Sequence, residues 1–123
     1  MKIRIILKEM KMEEKPIRFD EEVLHRILYT YKKRYPKLLK EFSFSLSGTY
    51  PYSQLLERIL IRAKISRTLK TTNPDFEEVQ LSKNTSLYVE ERIETEFLEE
   101  YSKSDLDILK NIGKDIKRTL AEA

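Results

Sequence analysis

Phe42-Ser43-Phe44-Ser45-Leu46-Ser47-Gly48 is the stretch on which the reading of this chain turns. A large apolar side chain holds every even position and serine every odd one, the period that sends alternate side chains to opposite faces of a strand. Gly48 closes the run, and Tyr50-Pro51-Tyr52 reads as a turn. Working outward, Asp20 reads as the N-cap of a helix from about Glu21, with Val23, Ile27, Leu28, Tyr31 and Tyr35 on one stripe and Pro36 ending or kinking it. On the other side, Ser53 caps a helix over residues 53–70 whose buried stripe is Leu56, Ile59, Leu60 and Ala63.

Farther out the same rules give the remaining elements. Ile3, Ile5 and Leu7 alternate with Lys2, Arg4 and Lys8, which predicts a first strand over residues 2–10 with a basic outer face. Lys11 to Arg18 contains Pro16 and reads as a loop. After the stop at Thr71-Thr72-Asn73-Pro74-Asp75, a hairpin is expected. Val79 and Leu81 lie on its first strand, Lys83-Asn84-Thr85-Ser86 makes the turn, and Leu87, Val89, Ile93, Thr95 and Phe97 alternate along the second strand. Glu91 falls on the apolar face of that strand and suggests a bulge. Ser102 or Ser104 caps a last helix with the stripe Leu109, Ile112, Ile116 and Leu120, within which Gly113 is a mild local weakness. The expectation is one compact α+β domain over residues 1–123, in the order β-α-β-α-β-β-α, with a small mixed sheet covered by helices. Residues 1–98 form its core and an additional amphipathic helix spans about 103–121.

Charge is divided unevenly along this domain. Residues 1–72 carry 17 Lys and Arg against 8 Asp and Glu, whereas residues 73–123 carry 7 against 13, so the net +3 conceals a basic half and an acidic half. Such a field favours an anionic partner on one side, or head-to-tail pairing with another copy of the chain. The absence of cysteine excludes disulfides, thiolate metal sites and cysteine nucleophiles. Together with abundant Lys, Glu and Ile, it gives the chain a thermophile-like composition. No apolar run reaches the ~20 residues of a membrane helix, and the basic, apolar start lacks a cleavage site, so a cytoplasmic protein is expected.

Up to residue 98 this order resembles the Alba-like nucleic-acid-binding superfamily of archaeal chromatin and RNase P–associated proteins. The resemblance is carried by the strand Phe42 to Leu46, Gly48, the helix around Leu56 to Leu69, the turn Asn73-Pro74-Asp75 and the strand Val79 to Leu81. The chain departs from the pattern where Thr49-Tyr50 follows the glycine in place of a basic residue. It departs again where Glu13-Glu14-Lys15-Pro16 stands in place of adjacent lysines, and where the hairpin turn carries only Lys83 in place of a long basic arm. The resemblance implies nucleic-acid binding, with Arg58, Arg62 and the basic residues of the first helix as the available contacts.

The residues themselves point the same way. Lys33, Arg34 and Lys37 near the end of the first helix, and Arg58, Arg62, Lys64 and Arg67 on the second, could neutralise phosphates, with Tyr50 and Tyr52 as stacking surfaces for unpaired bases. The bland alternative is a pair of solvated helix faces. Glu90, Glu94 and Glu96 alternate on the expected last strand and do not converge on a cation. They suit a charged edge or a surface for a basic partner. His25, the only histidine, has no Ser, Cys or second His nearby in sequence. No phosphate loop, metal-ligand spacing or catalytic couple is present, so no cofactor, metal or enzymatic activity is expected. Two functions remain. One is a non-enzymatic protein, expected as a homodimer, that holds DNA or RNA by its phosphates without base-specific readout. The other is an interaction subunit docking through the acidic strand and the terminal helix.

Overall fold

The computed structural model describes residues 2–12, 17–71 and 78–122. The chain is α+β but mostly helical. Helix α1 (Lys2–Glu9) is followed by β1 (Ile17–Arg18), α2 (Glu21–Arg34), α3 (Gln54–Ile65), β2 (Leu69–Thr71) and β3 (Glu78–Leu81). A continuous helical segment then runs through α4 (Lys83–Tyr88), a π-helical turn (Val89–Ile93) and α5 (Glu94–Glu100), and α6 (Lys103–Glu122) ends the chain.

The expected first strand is a helix. The segment holds apolar residues at 3, 5, 6, 7 and 10, which satisfies alternation in part and the i, i+3, i+4 spacing as well. Burial decides between them: Ile3, Ile5, Ile6, Leu7 and Met10 are all in the core, and Arg4 is the one exposed residue of the helix. A helix apolar nearly all round belongs at the centre of a domain. Helix α1 packs most extensively on α6, with Leu24 and Leu28 of α2 and Leu56 of α3 closing around Ile3, Ile6 and Leu7. Lys2 is buried at its start. Its ammonium donates to the Leu38 carbonyl at 2.7 Å and to Glu41 at 2.9 Å, and lies 4.7 Å above the Tyr101 ring.

Two further strands are absent. Over residues 42–47 the only sheet-like pairing is an isolated bridge between Ser45 and Tyr52, closed by backbone hydrogen bonds of 2.8 and 3.0 Å. Phe42 is buried but Leu46 is 64 % exposed, so the alternation does not mark a half-buried strand. The expected strand 87–97 is helical. Ser82 caps it by accepting the Thr85 N–H at 3.1 Å, which makes the supposed hairpin turn the first turn of α4. Val89, Ile93 and Phe97 are buried at four-residue spacing, and the position of Glu91 in solvent then needs no bulge in a strand.

The sheet that does form is small and wholly antiparallel rather than mixed, in the order β1-β3-β2. Val79 pairs with both Ile17 and Thr71, and Leu69 faces Leu81. The proposed stop at 71–75 lies mostly outside the described residues. The other helix boundaries follow their capping chemistry. Asp20 accepts the Glu22 N–H, Ser53 accepts the Leu56 N–H, and Ser102 and Asp105 bond each other's N–H reciprocally. Helix α2 stops two residues before Pro36. Helix α3 ends at Ile65 rather than near residue 70. Arg67 takes a left-handed conformation (φ 63°) that turns the chain into β2.

Candidate nucleic-acid interface

The basic residues lie on or beside α2 and α3, which side-chain contacts tie together. At one end Lys64 pairs with Glu21 at 2.7 Å, and about one helical turn farther along α2 the His25 ring reaches the start of α3. His25 Nδ1 accepts the backbone N–H of Ser53, the α3 N-cap, at 3.1 Å. The ring proton therefore sits on Nε2, which faces Glu57 at 3.6 Å without a hydrogen-bond partner. Burial pushes the imidazole below its ordinary value, against the pull of Glu21. Burial also raises Glu57, and the neighbouring Glu21 carboxylate adds to the rise. His25 has no exposed surface, so this cluster fastens two helices and presents no imidazole to a ligand.

These contacts sort the candidate residues. Lys64 is neutralised by Glu21 and lies 5.8 Å from the Phe19 ring, so its charge is committed. Tyr52 stacks on His25 with centroids 4.9 Å apart, and Tyr50 lies 5.6 Å from the same ring. Both tyrosines wall in the histidine and are half-buried. Tyr50 also borders an open hollow of about 520 Å³ lined by the acids Asp20, Glu21 and Glu22 and the bases Arg18 and Lys64. Lys33, Arg34 and Lys37 are exposed around the end of α2, where Lys33 lies 4.7 Å above Tyr29 and Arg34 lies 5.4 Å from Tyr35. Arg58, Arg62 and Arg67 are exposed along and just after α3.

The exposed basic side chains thus fall in two groups, one around the end of α2 and one along and just after α3.

The α3 patch has a partner that the alternation of residues 2–8 concealed. Arg4, the exposed residue of α1, faces Arg62 across a groove of about 470 Å³. Ile3, Ile59 and Ala63 make its apolar floor, and Ser66 and Thr68 close one end, their hydroxyls 3.0 Å apart. Neither Arg4 nor Arg62 forms an ion pair among the described residues. Two unneutralised guanidinium groups with adjacent hydroxyls can hold an anion by charge-assisted hydrogen bonds, and the apolar floor lowers the local dielectric. Read as part of a strand, Arg4 was one of several alternating basic residues. Only its isolation on an otherwise buried helix singles it out.

Among the described residues no group of three His, Asp or Glu side chains is placed to hold a metal ion, and no helix is long and apolar enough to cross a membrane. The terminal helix is engaged within the fold: Leu106, Leu109, Ile112 and Ile116 are buried, and α6 packs on α1 and α2. No family model matches the chain, and no curated protein or solved structure matches it either.

Proposed function

We propose that this chain is a small, non-enzymatic, cytoplasmic nucleic-acid-binding protein that holds the phosphates of DNA or RNA in the groove between α1 and α3, without reading base sequence. One observation supports the reading: Arg4 and Arg62 line one groove beside two hydroxyls, with no acid among the described residues neutralising either. Arg58 and Arg67 extend the positive surface along α3, and Lys33, Arg34 and Lys37 offer a second phosphate contact at the far end of α2. Kinship with the Alba-like proteins belongs to the same proposal. It draws on the middle of their order, namely two helices with Gly48 between them and a strand at Val79–Leu81.

The test is a fluorescence-anisotropy titration with duplex DNA, single-stranded RNA and a structured RNA. On duplex DNA, between ~50 and ~200 mM salt each phosphate contact costs roughly 3.5-fold in affinity, so four engaged arginines weaken binding by roughly 150-fold. Arg4→Gln with Arg62→Gln lowers the slope of log affinity against log salt by about two. An unchanged slope, or no binding at low salt, removes the groove from consideration. The second reading, an interaction subunit, is favoured by a separate observation: Leu87, Tyr88 and Leu98 are exposed among the glutamates of the α4–α5 segment.

A further inference from the structure

The large apolar side chains left in water gather in two places. Apart from Leu46, those among the described residues are Ile61 and Ile65 on α3, and Leu87, Tyr88 and Leu98 on the segment from α4 to α5. The α3 group is set among arginines, and the α4–α5 group among side chains that are mostly acidic, with Lys83 and Arg92 also exposed there. Arg58, Ile61, Arg62 and Ile65 recur at three- and four-residue spacing, so they project together from the side of α3 opposite Leu56 and Leu60. On the other segment Tyr88, Glu91, Leu98 and Glu99 are exposed, opposite buried Val89, Ile93 and Phe97. None of these four charged side chains forms an ion pair among the described residues.

We infer that the two surfaces bind each other between copies of this chain, the outer face of α3 in one molecule docking on the α4–α5 segment of the next. Isoleucines bare at 45 and 77 % are an unfavourable way to finish a helix unless something covers them. The charge pattern selects what does. A two-fold arrangement of either surface sets like charges against each other, whereas the head-to-tail arrangement sets Arg58 and Arg62 against Glu91 and Glu99 while the apolar residues meet between them. Such pairing builds a ring where its rotation closes and an open chain where it does not, and in both the mass rises with concentration. Helix α3 has 12 residues, about 18 Å of length, which limits the contact to a small patch and the association to the micromolar range or weaker.

The experiment uses the whole chain, free of nucleic acid, so its outcome is independent of phosphate binding. Sedimentation velocity and light scattering at ~50 and ~500 mM salt compare weak and strong screening. The expected result is a weight-average mass that climbs with concentration at low salt and returns to 14.8 kDa at high salt. Arg58→Glu with Arg62→Glu, and separately Glu91→Lys with Glu99→Lys, each leave a monomer with unchanged circular dichroism. An equimolar mixture of the two variants associates again, because each reversed surface now meets its opposite. A wild-type chain that stays monomeric at low salt, association that survives either reversal, or a mixture that fails to recover would each overturn the inference.

Discussion

Gly113→Ala provides a test in which local propensity and tertiary packing predict opposite signs. In an isolated helix the change stabilises by about 1 kcal/mol, since alanine is the better helix former. In the folded chain a Cβ at 113 would lie 2.8 Å from the Glu9 Cβ, 3.3 Å from the Ile6 carbonyl carbon and closer still to the Ile6 carbonyl oxygen. Carbon atoms in contact prefer about 3.5–4.0 Å, so α1 would have to retreat from α6 by roughly 1 Å. The obstacle is backbone, which cannot rotate aside, and α1 has little space to move into because Ile5, Ile6 and Leu7 are packed on its other sides. Overpacking of this kind costs about 1–3 kcal/mol and occasionally more. With a clash this close to backbone the cost belongs at the upper end, leaving a net loss of about 1–2 kcal/mol after the propensity gain. For a domain of this size that lowers the melting temperature by roughly 4–8 °C. Gly48→Ala is the control: its nearest neighbour is the Tyr50 carbonyl oxygen at 4.0 Å, and its φ is not positive, so its effect stays within about 0.5 kcal/mol. Thermal and urea unfolding by circular dichroism measure both variants. A Gly113→Ala chain as stable as the wild type, or more stable, would refute the close crossing of α1 and α6.

Three other outcomes follow from buried polar groups. Lys2→Met removes the donor to the Leu38 carbonyl and to Glu41, and should cost about 1–3 kcal/mol in urea unfolding. Tyr31 donates to Asp115, and burial, then that hydrogen bond and charge, pushes the phenol up to about 12. Asp115→Asn should return its ultraviolet titration part of the way toward the ordinary 10.0. His25 is held below its ordinary 6.5, so the neutral ring is the folded form; its contribution is complete above 6.5 and is lost as pH falls through the lowered value. Glu57 works in the opposite sense, its raised carboxyl contributing fully below 4.5 and losing that contribution as pH rises through the raised value. His25→Asn keeps an acceptor near the Ser53 N–H but removes the titration, so stability measured from pH 7 downward should fall less steeply than in the wild type.

How much of this was legible in the sequence depended on whether a local signal had a unique physical cause. Side-chain caps do: Asp20, Ser53 and Ser102 each satisfy an orphan N–H at the start of a helix, and all three helices begin where those residues stand. Alternation does not. Residues 42–47 alternate without a neighbouring strand to pair with, and beyond the Ser45–Tyr52 bridge they have no regular secondary structure. Residues 87–97 placed Val89, Ile93 and Phe97 on one face under both periods, because spacings of four are even and also span about one helical turn. Glu91 was the discriminating residue, since a strand would have turned it inward with them and a helix turns it out. The basic candidates were legible as exposed side chains but not as a site. Whether Lys64 is free depends on Glu21, 43 residues away, and the groove depends on Arg4 meeting Arg62, which no local pattern encodes.

Helix α1 joins the stability of the fold to the proposed interface. Ile6 and Glu9 meet Gly113 on one side of it, while Ile3 and Arg4, less than one turn earlier, form a wall of the groove. The opposite wall, α3, is tied to α2 through the His25–Ser53 bond and the Glu21–Lys64 pair, and to α1 through Leu56. Gly113→Ala acts on the α1 wall directly, so the fraction that remains folded should hold Arg4 at an altered spacing from Arg62. Binding by that folded fraction should weaken while the Lys33, Arg34 and Lys37 patch is undisturbed. A salt slope reduced by about one, rather than abolished, is the signature of losing a single phosphate contact in this way.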